Sequence, residues 1–344
     1  MTISAAGRYV LAQLLDIVPE FTSLEPFRDR SVSTWIREGS FSVVSASSRS
    51  LTLRVNQREY AAHLVAEIHH LLNQASEHRA HLMRHLDADS SPSWLLVSVY
   101  YLSLYVAMAW SRAINCAVLY LDRQILMKMC GSGVVPHAGA YQATLSLDHT
   151  TGVATLQVSK AKHSHFHEAV WVALHSKLEE AGDWVRTLSV HRKPTTDEIQ
   201  TLSAFSLFQG LQFQEPMTWP SQLRNGVNYR PGFSYRTVLR HNFLRTSAVL
   251  GQAAFANLGE VIAYGNRAKI AMRGALNPIE VANDSFKLLI AQSLVLEFIL
   301  DEATGQLLVT RDLECSAARL RRQFNERHCT ANSILHRVES FMEG

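Results

Sequence analysis

Cysteine is scarce in this chain and poorly placed for pairing. Its four cysteines, Cys116, Cys130, Cys315 and Cys329, form no Cys-x-x-Cys pair, which excludes a zinc ribbon or a disulfide framework and leads us to expect reduced thiols in the cytoplasm. Lysine is also sparse, at 7 of the 33 basic residues, so 26 are arginine. The planar guanidinium fork suits phosphate, carboxylate and aromatic partners, and a GC-rich genome gives the same bias. A formal net charge of +3 excludes a polyelectrolyte and leaves any nucleic-acid contact to local patches. With 9 Pro and 16 Gly in 344 residues, 47% of them hydrophobic, the chain reads as globular and not as disordered or fibrous. The first residues hold only a short apolar run around Arg8 and Asp16, which does not read as a secretory signal.

Charge is missing altogether from Ser90 to Ser111, a stretch long enough to span a bilayer. Ser93, Ser98, Ser103, Tyr100, Tyr101 and Tyr105 would then sit at depths where lipid cannot satisfy them, so we expect a buried core helix and no membrane span. Ser91 as the cap and Pro92 at the first helical position account for its start. Ala113–Leu121 is apolar again, which reads as a continuation of this helix with Arg112 turned toward a partner or solvent.

Around this helix the periodicity predicts a short helix at Tyr9–Ile17, a hairpin of Phe41–Val44 with Leu51–Val55, and a helix from Arg58 to about Leu86. A second hairpin joins Thr144–Leu147 to Val153–Val158. Helices are expected at 165–183, 196–213, 237–272, 278–300 and 312–342, two of them opening on capping boxes at Thr195/Glu198 and Asn277/Glu280. The expected organisation is mainly α: an N-terminal mixed element over 1–57, a helical bundle over 58–245 with the hairpin 144–158 inserted, and C-terminal helices over 246–344. In the last of these, Leu313, Ala317, Leu320 and Phe324 mark one face, among Arg319, Arg321, Arg322 and Arg327. That pattern fits either a partner helix or a solvated surface of the bundle.

Several chemistries fail on their own residues. Gly131-Ser132-Gly133 is followed by Pro136 and lacks the Lys-Ser/Thr of a phosphate loop. Asp148 and Lys160 bracket a nuclease-like hairpin, but Val158 stands where a carboxylate would hold the cation. His163, His165, His167 and His175 cluster without cysteines or paired acids, and helical spacing turns His165 away from the rest, so no metal is assigned.

The segment that carries chemistry runs from Trp219 to His241. It interleaves Arg224, Arg230, Arg236 and Arg240 with Trp219, Tyr229, Phe233 and Tyr235, a combination suited to pairing phosphates while stacking unpaired bases. Gly226 and Pro231 confine a helix here to about Pro220–Tyr229. Arg224-Asn225 followed by Tyr229 resembles the arginine-polar-x-x-x-histidine signature of HEPN domains in the variants that end in tyrosine. Ser93-Trp94 through Tyr100-Tyr101 and Ala109 resemble the second helix of HEPN-like proteins from bacterial toxin–antitoxin and anti-phage loci. Arg236 with His241 is a second pair of the same form.

The resemblance implies a HEPN-like bundle that cleaves RNA without metal or cofactor. Arg224 would hold the scissile phosphate, Asn225 would orient it, and Tyr229 would move a proton from the ribose 2′-hydroxyl. Trp219, Arg230, Phe233, Tyr235, Arg236, Arg240 and His241 would line the RNA path. It also implies a homodimer, or a partner protein within a defence complex. A non-catalytic subunit that binds nucleic acid or protein fits the same residues, as does a merely structural role for Arg224 and Asn225 in a turn-rich connection. One spatial expectation follows: the uncharged helix packs against Arg224–Tyr229.

Overall fold

The computed structural model describes residues 3–19, 31–85, 92–131, 133–148, 150–209, 217–229, 258–274 and 278–313, together with Ala318 and Arg321. These residues are mainly helical, with one small antiparallel sheet. They fall into two compact units. The first gathers Met1–Leu71, Ala107–Lys193 and Ile299–Ala317, and the second Leu72–Val106, Pro194–Phe298 and Ala318–Gly344.

In the first unit, α1 (Ala5–Ile17) starts on the Ser4 hydroxyl, which accepts from the Gly7 amide. Helix α2 (Val32–Glu38) ends at Gly39, whose φ of 81° permits the left-handed cap. Two hairpins follow as expected, β1 (Phe41–Ala46) with β2 (Ser50–Val55), and β4 (Gly139–Asp148) with β5 (Val153–Lys160). They are not separate decorations. With β3 (Ala117–Leu121) they make one five-stranded sheet in the order β1-β2-β5-β4-β3, all neighbours antiparallel.

Alternation fixes the register of that sheet. Leu51 and Leu53 lie opposite Val158 and Leu156, which in turn face Ala143 and Leu145, and all six are buried. Helix α6 (Phe166–Thr187) packs over β3 and β4 and against α1, where Tyr9 and Trp184 meet at 5.4 Å.

Strand β3 corrects the sequence reading, which ran the uncharged helix on to Leu121. Helix α4 (Pro92–Ala113) ends where Asn115 takes a φ of 58°, a conformation asparagine tolerates better than most residues. The Asn115 amide then docks on β4, donating to the Leu145 carbonyl and accepting from the Leu145 N–H, each at 2.8 Å. The chain turns and re-enters as a strand. A five-residue apolar run carries no periodicity that tells strand from buried helix.

Helix α3 (Gln57–His85) brings Glu67 to Arg112 near the end of α4. Arg112 is 1% and Glu67 6% exposed. The guanidinium donates from Nη2 to Oε1 at 2.9 Å, and its Nε stands 2.8 Å from Oε2. The Val32 N–H donates to Oε2 at 3.2 Å, and Arg112 donates to the Met108 carbonyl at 3.2 Å. Arg112 is thus turned toward a buried partner, and burial beside this pair pushes the Tyr60 phenol up. Helix α5 (Arg123–Cys130) starts on the Asp122 carboxylate, which accepts from the Ile125 amide. Cys116 and Cys130 are free thiols, and burial pushes Cys116 up to about 11.

The second unit is helical throughout its described residues. It holds the later part of α3, most of α4, α7 (Thr196–Ser206), α8 (Trp219–Tyr229), α9 (Leu258–Gly274) and the first part of α10 (Pro278–Thr310). The capping box of α7 forms as expected, with Thr195 Oγ1 accepting from the Glu198 amide and Glu198 accepting from the Thr195 amide. The helix ends at Ser206 and passes into turns through Gln209, where Lys269 donates to the Ser206 carbonyl and Gln292 to the Leu207 carbonyl at 2.9 Å; residues 210–213 of the expected helix lie outside the described residues. There α9 approaches so closely that a Cβ on Gly265 would lie 2.9 Å from both Leu207 and Ala291.

Helix α10 runs past the expected end at 300 to Thr310. It closes where Asp312 takes a φ of 50° and the Leu313 N–H bonds to the Leu308 carbonyl. The expected Asn277 cap, the Ser91 cap, helix 237–272 before Leu258 and nearly all of helix 312–342 lie outside the described residues. Three of the boundaries between the units fall inside helices, after Leu71 in α3, Val106 in α4 and Phe298 in α10. One described helix, Trp94–Ala113, is long and apolar enough to cross a membrane, and 72% of it is buried inside the protein.

Candidate functional site

Helix α8 covers the first part, Trp219–Tyr229, of the segment that the sequence singles out. Its buried side holds Trp219, Ser221 and Val227, while Gln222, Asn225 and Asn228 are exposed and Arg224 is partly exposed. The uncharged helix lies against it in the second unit. Tyr100, 1% exposed, shares a hydrogen bond of 3.2 Å with the Ser221 hydroxyl. One residue on, the Tyr101 hydroxyl accepts from Arg224 Nη2 at 3.1 Å.

Arg224 is held on two sides. Its Nη1 donates to Asn225 Oδ1 at 3.0 Å, and its Cζ stands 6.0 Å from the centre of the Tyr101 ring. A neutral amide and a phenol both accept from the guanidinium here. Tyr101 also meets a group that sequence reasoning missed. His78 of α3 stacks on it at 6.1 Å with the rings 22° apart, and lies 5.5 Å from Tyr105.

Burial lowers the His78 pKa, the neighbouring His81 lowers it further, and Glu77 opposes them, so the ring is neutral at pH 7. Burial raises the Tyr105 phenol, with Tyr101 and Glu77 adding to the rise. The signal that would have found His78 is its spacing on α3, where it follows the core residues Leu71, Leu72 and Ala75 on the side that meets α4.

Trp219, expected on the RNA path, is only 2% exposed and anchors α8 in the interior, so it offers no ring face to a base. Asn225 is exposed beside Arg224 as expected. Tyr229 is the last residue of α8. Its side chain, with Arg230, Phe233, Tyr235, Arg236, Arg240 and His241, lies outside the described residues.

The histidine cluster of the first unit is spread from the segment before α6 into the helix itself. His163 faces Glu168 at 3.5 Å, His167 packs edge-on against Phe166, and His175 is buried. Among the described residues no group of three or more His, Cys, Asp or Glu side chains is placed to hold a metal ion. Burial holds the His175 imidazole down at about 4, well below the ordinary ~6.5. Its neutral form then favours the fold fully above pH ~6.5, and that contribution is lost as pH falls toward 4. The expected loss is about 2 kcal/mol by about pH 5, read as the unfolding free energy in urea. His175→Phe should flatten that part of the slope, and an unchanged slope would assign the acid sensitivity elsewhere.

No family model, curated protein or solved structure matches this chain.

Proposed function

We propose that this chain is a cytoplasmic, RNA-directed protein of HEPN-like character from a bacterial defence or toxin–antitoxin system, with a metal-independent endoribonuclease site at Arg224 and Asn225. What supports this most is the placement of Arg224, partly exposed on α8 and held beside Asn225 and the Tyr101 ring. An arriving phosphate is a far better acceptor for the fork than a neutral amide oxygen, so it displaces Asn225 Oδ1 and takes two parallel N–H bonds. Asn225 then turns its amide N–H toward the same phosphate.

In the cleavage step the ribose 2′-oxygen bonds to phosphorus as the bond to the 5′-oxygen breaks. The 2′-proton passes to a base and another proton goes to the leaving oxygen, while Arg224 stabilises the charge that builds on the phosphoryl oxygens. In the resemblance that base is Tyr229. The protein acts as a homodimer or beside a partner of a defence complex.

A second reading is a non-catalytic subunit that binds RNA or a partner protein. It is favoured by the identity of Tyr229, since a phenol of reference pKa ~10 is a poor base near neutrality. One experiment divides the two. Single-stranded RNA is incubated with the full chain in excess chelator, beside Arg224→Ala. Cleavage that falls by about 100-fold or more in the variant, at unchanged thermal stability, supports the nuclease. Binding without cleavage under every condition supports the subunit and sinks the nuclease.

A further inference from the structure

Helix α4 is buried on nearly every side, and its open positions form a single stripe. In the second unit Trp94, Ser98, Tyr101 and Tyr105 recur at four-three-four spacing, while the positions between them are buried. Trp94 is 70% exposed. A helix that hides its other faces would ordinarily turn charge to water, yet this stripe carries rings. An exposed tryptophan in line with two part-exposed tyrosines calls for a ligand.

A charged side chain, Arg224, lies beside the stripe at Tyr101. A cation next to a line of rings complements a strand of phosphates and bases. Along the axis Tyr101 and Tyr105 are ~6 Å apart, and Trp94 and Tyr101 ~10 Å. Bases stacked in a duplex follow one another at ~3.4 Å, so only unstacked bases match the spacing.

We propose that Trp94 and Tyr105 form a track on which unpaired bases of single-stranded RNA stack, with Arg224, seated against Tyr101 between them, taking a phosphate and His78 backing the two tyrosines. This rests on the RNA-directed reading above and names its substrate class: single-stranded RNA, bound by shape and stacking and tolerant of sequence. The groups facing His78 are Glu77 and His81 on its own helix and Tyr101 and Tyr105 on α4. Its neutral state at pH 7 lets it pack as a ring against both tyrosines.

The test is fluorescence anisotropy of a labelled, mixed-sequence RNA of about 12 nucleotides, set against the same sequence in a duplex. Trp94→Ala and Tyr105→Ala should each weaken single-strand binding by about 5- to 150-fold. Trp94→Phe and Tyr105→Phe should stay close to the parent chain, and the duplex should compete poorly. Alanine variants that bind as the parent does, while Arg224→Ala binds weakly, would overturn the track and leave the phosphate site standing. A parent chain that binds no RNA overturns both. If Trp94→Ala changes the oligomeric state and leaves RNA affinity alone, the stripe is a protein-docking face and the proposal falls.

Discussion

Replacing Glu67 with alanine should destabilise the first unit by ~3–5 kcal/mol, because it strands a guanidinium that is 1% exposed. Arg112 makes two contacts to this carboxylate and is otherwise given backbone carbonyls, which cannot offset the loss of its counter-charge. Arg112→Met should cost less at low pH, since the carboxylate left behind can take a proton whereas a guanidinium cannot lose one. The double variant Glu67→Leu with Arg112→Met should recover most of the loss, because the desolvation of two charges disappears together with their attraction. Thermal unfolding measures all three, with a drop of about 10 °C expected for Glu67→Ala. A drop of only a degree or two would mean that water reaches the pair.

The second unit should answer to Glu297 in the same way. This residue of α10 is 4% exposed and pairs with Arg79 of α3, whose side chain is 20% exposed. Since Arg79 can swing part of its charge into water, Glu297→Ala should cost less than Glu67→Ala, at ~2–4 kcal/mol. Hydrogen exchange locates the effect. Protection should fall first in the 72–85 part of α3 and the 284–298 part of α10, whereas Glu67→Ala should act first around 57–71 and 107–113. Equal loss of protection over both sets in both variants would contradict separate local effects.

What the sequence made legible was local. The uncharged helix, both hairpins, the Thr195/Glu198 box and the start of α8 each rest on signals within a few residues of one another. What it hid was long-range. Nothing in Ser50–Val55 indicates that it pairs with Val153–Lys160, a hundred residues on, or that β3 completes the sheet. Strand β3 was concealed by its own apolarity, and Asn115, the residue that ends the helix, acts through contacts with Leu145 that only the fold supplies.

The candidate site divides in the same way. The approach of the central helix to Arg224–Tyr229 was an expectation drawn from a resemblance, and the structure has Tyr101 and Tyr100 meeting α8. Periodicity alone could not say which face of an all-apolar helix stays open, because it has no polar face to betray the answer. Trp219 misled for a related reason. An aromatic among arginines looks like a binding ring until its burial is known.

The unit boundaries inside α3, α4 and α10 bear on how this protein can change over generations. A recombination event that exchanged or dropped one unit would sever three helices in mid-course, and each cut would expose up to four backbone donors and four acceptors. Neither unit can travel as a cassette. Descendants of this gene are therefore expected to keep both halves together and to diversify by point substitution within them.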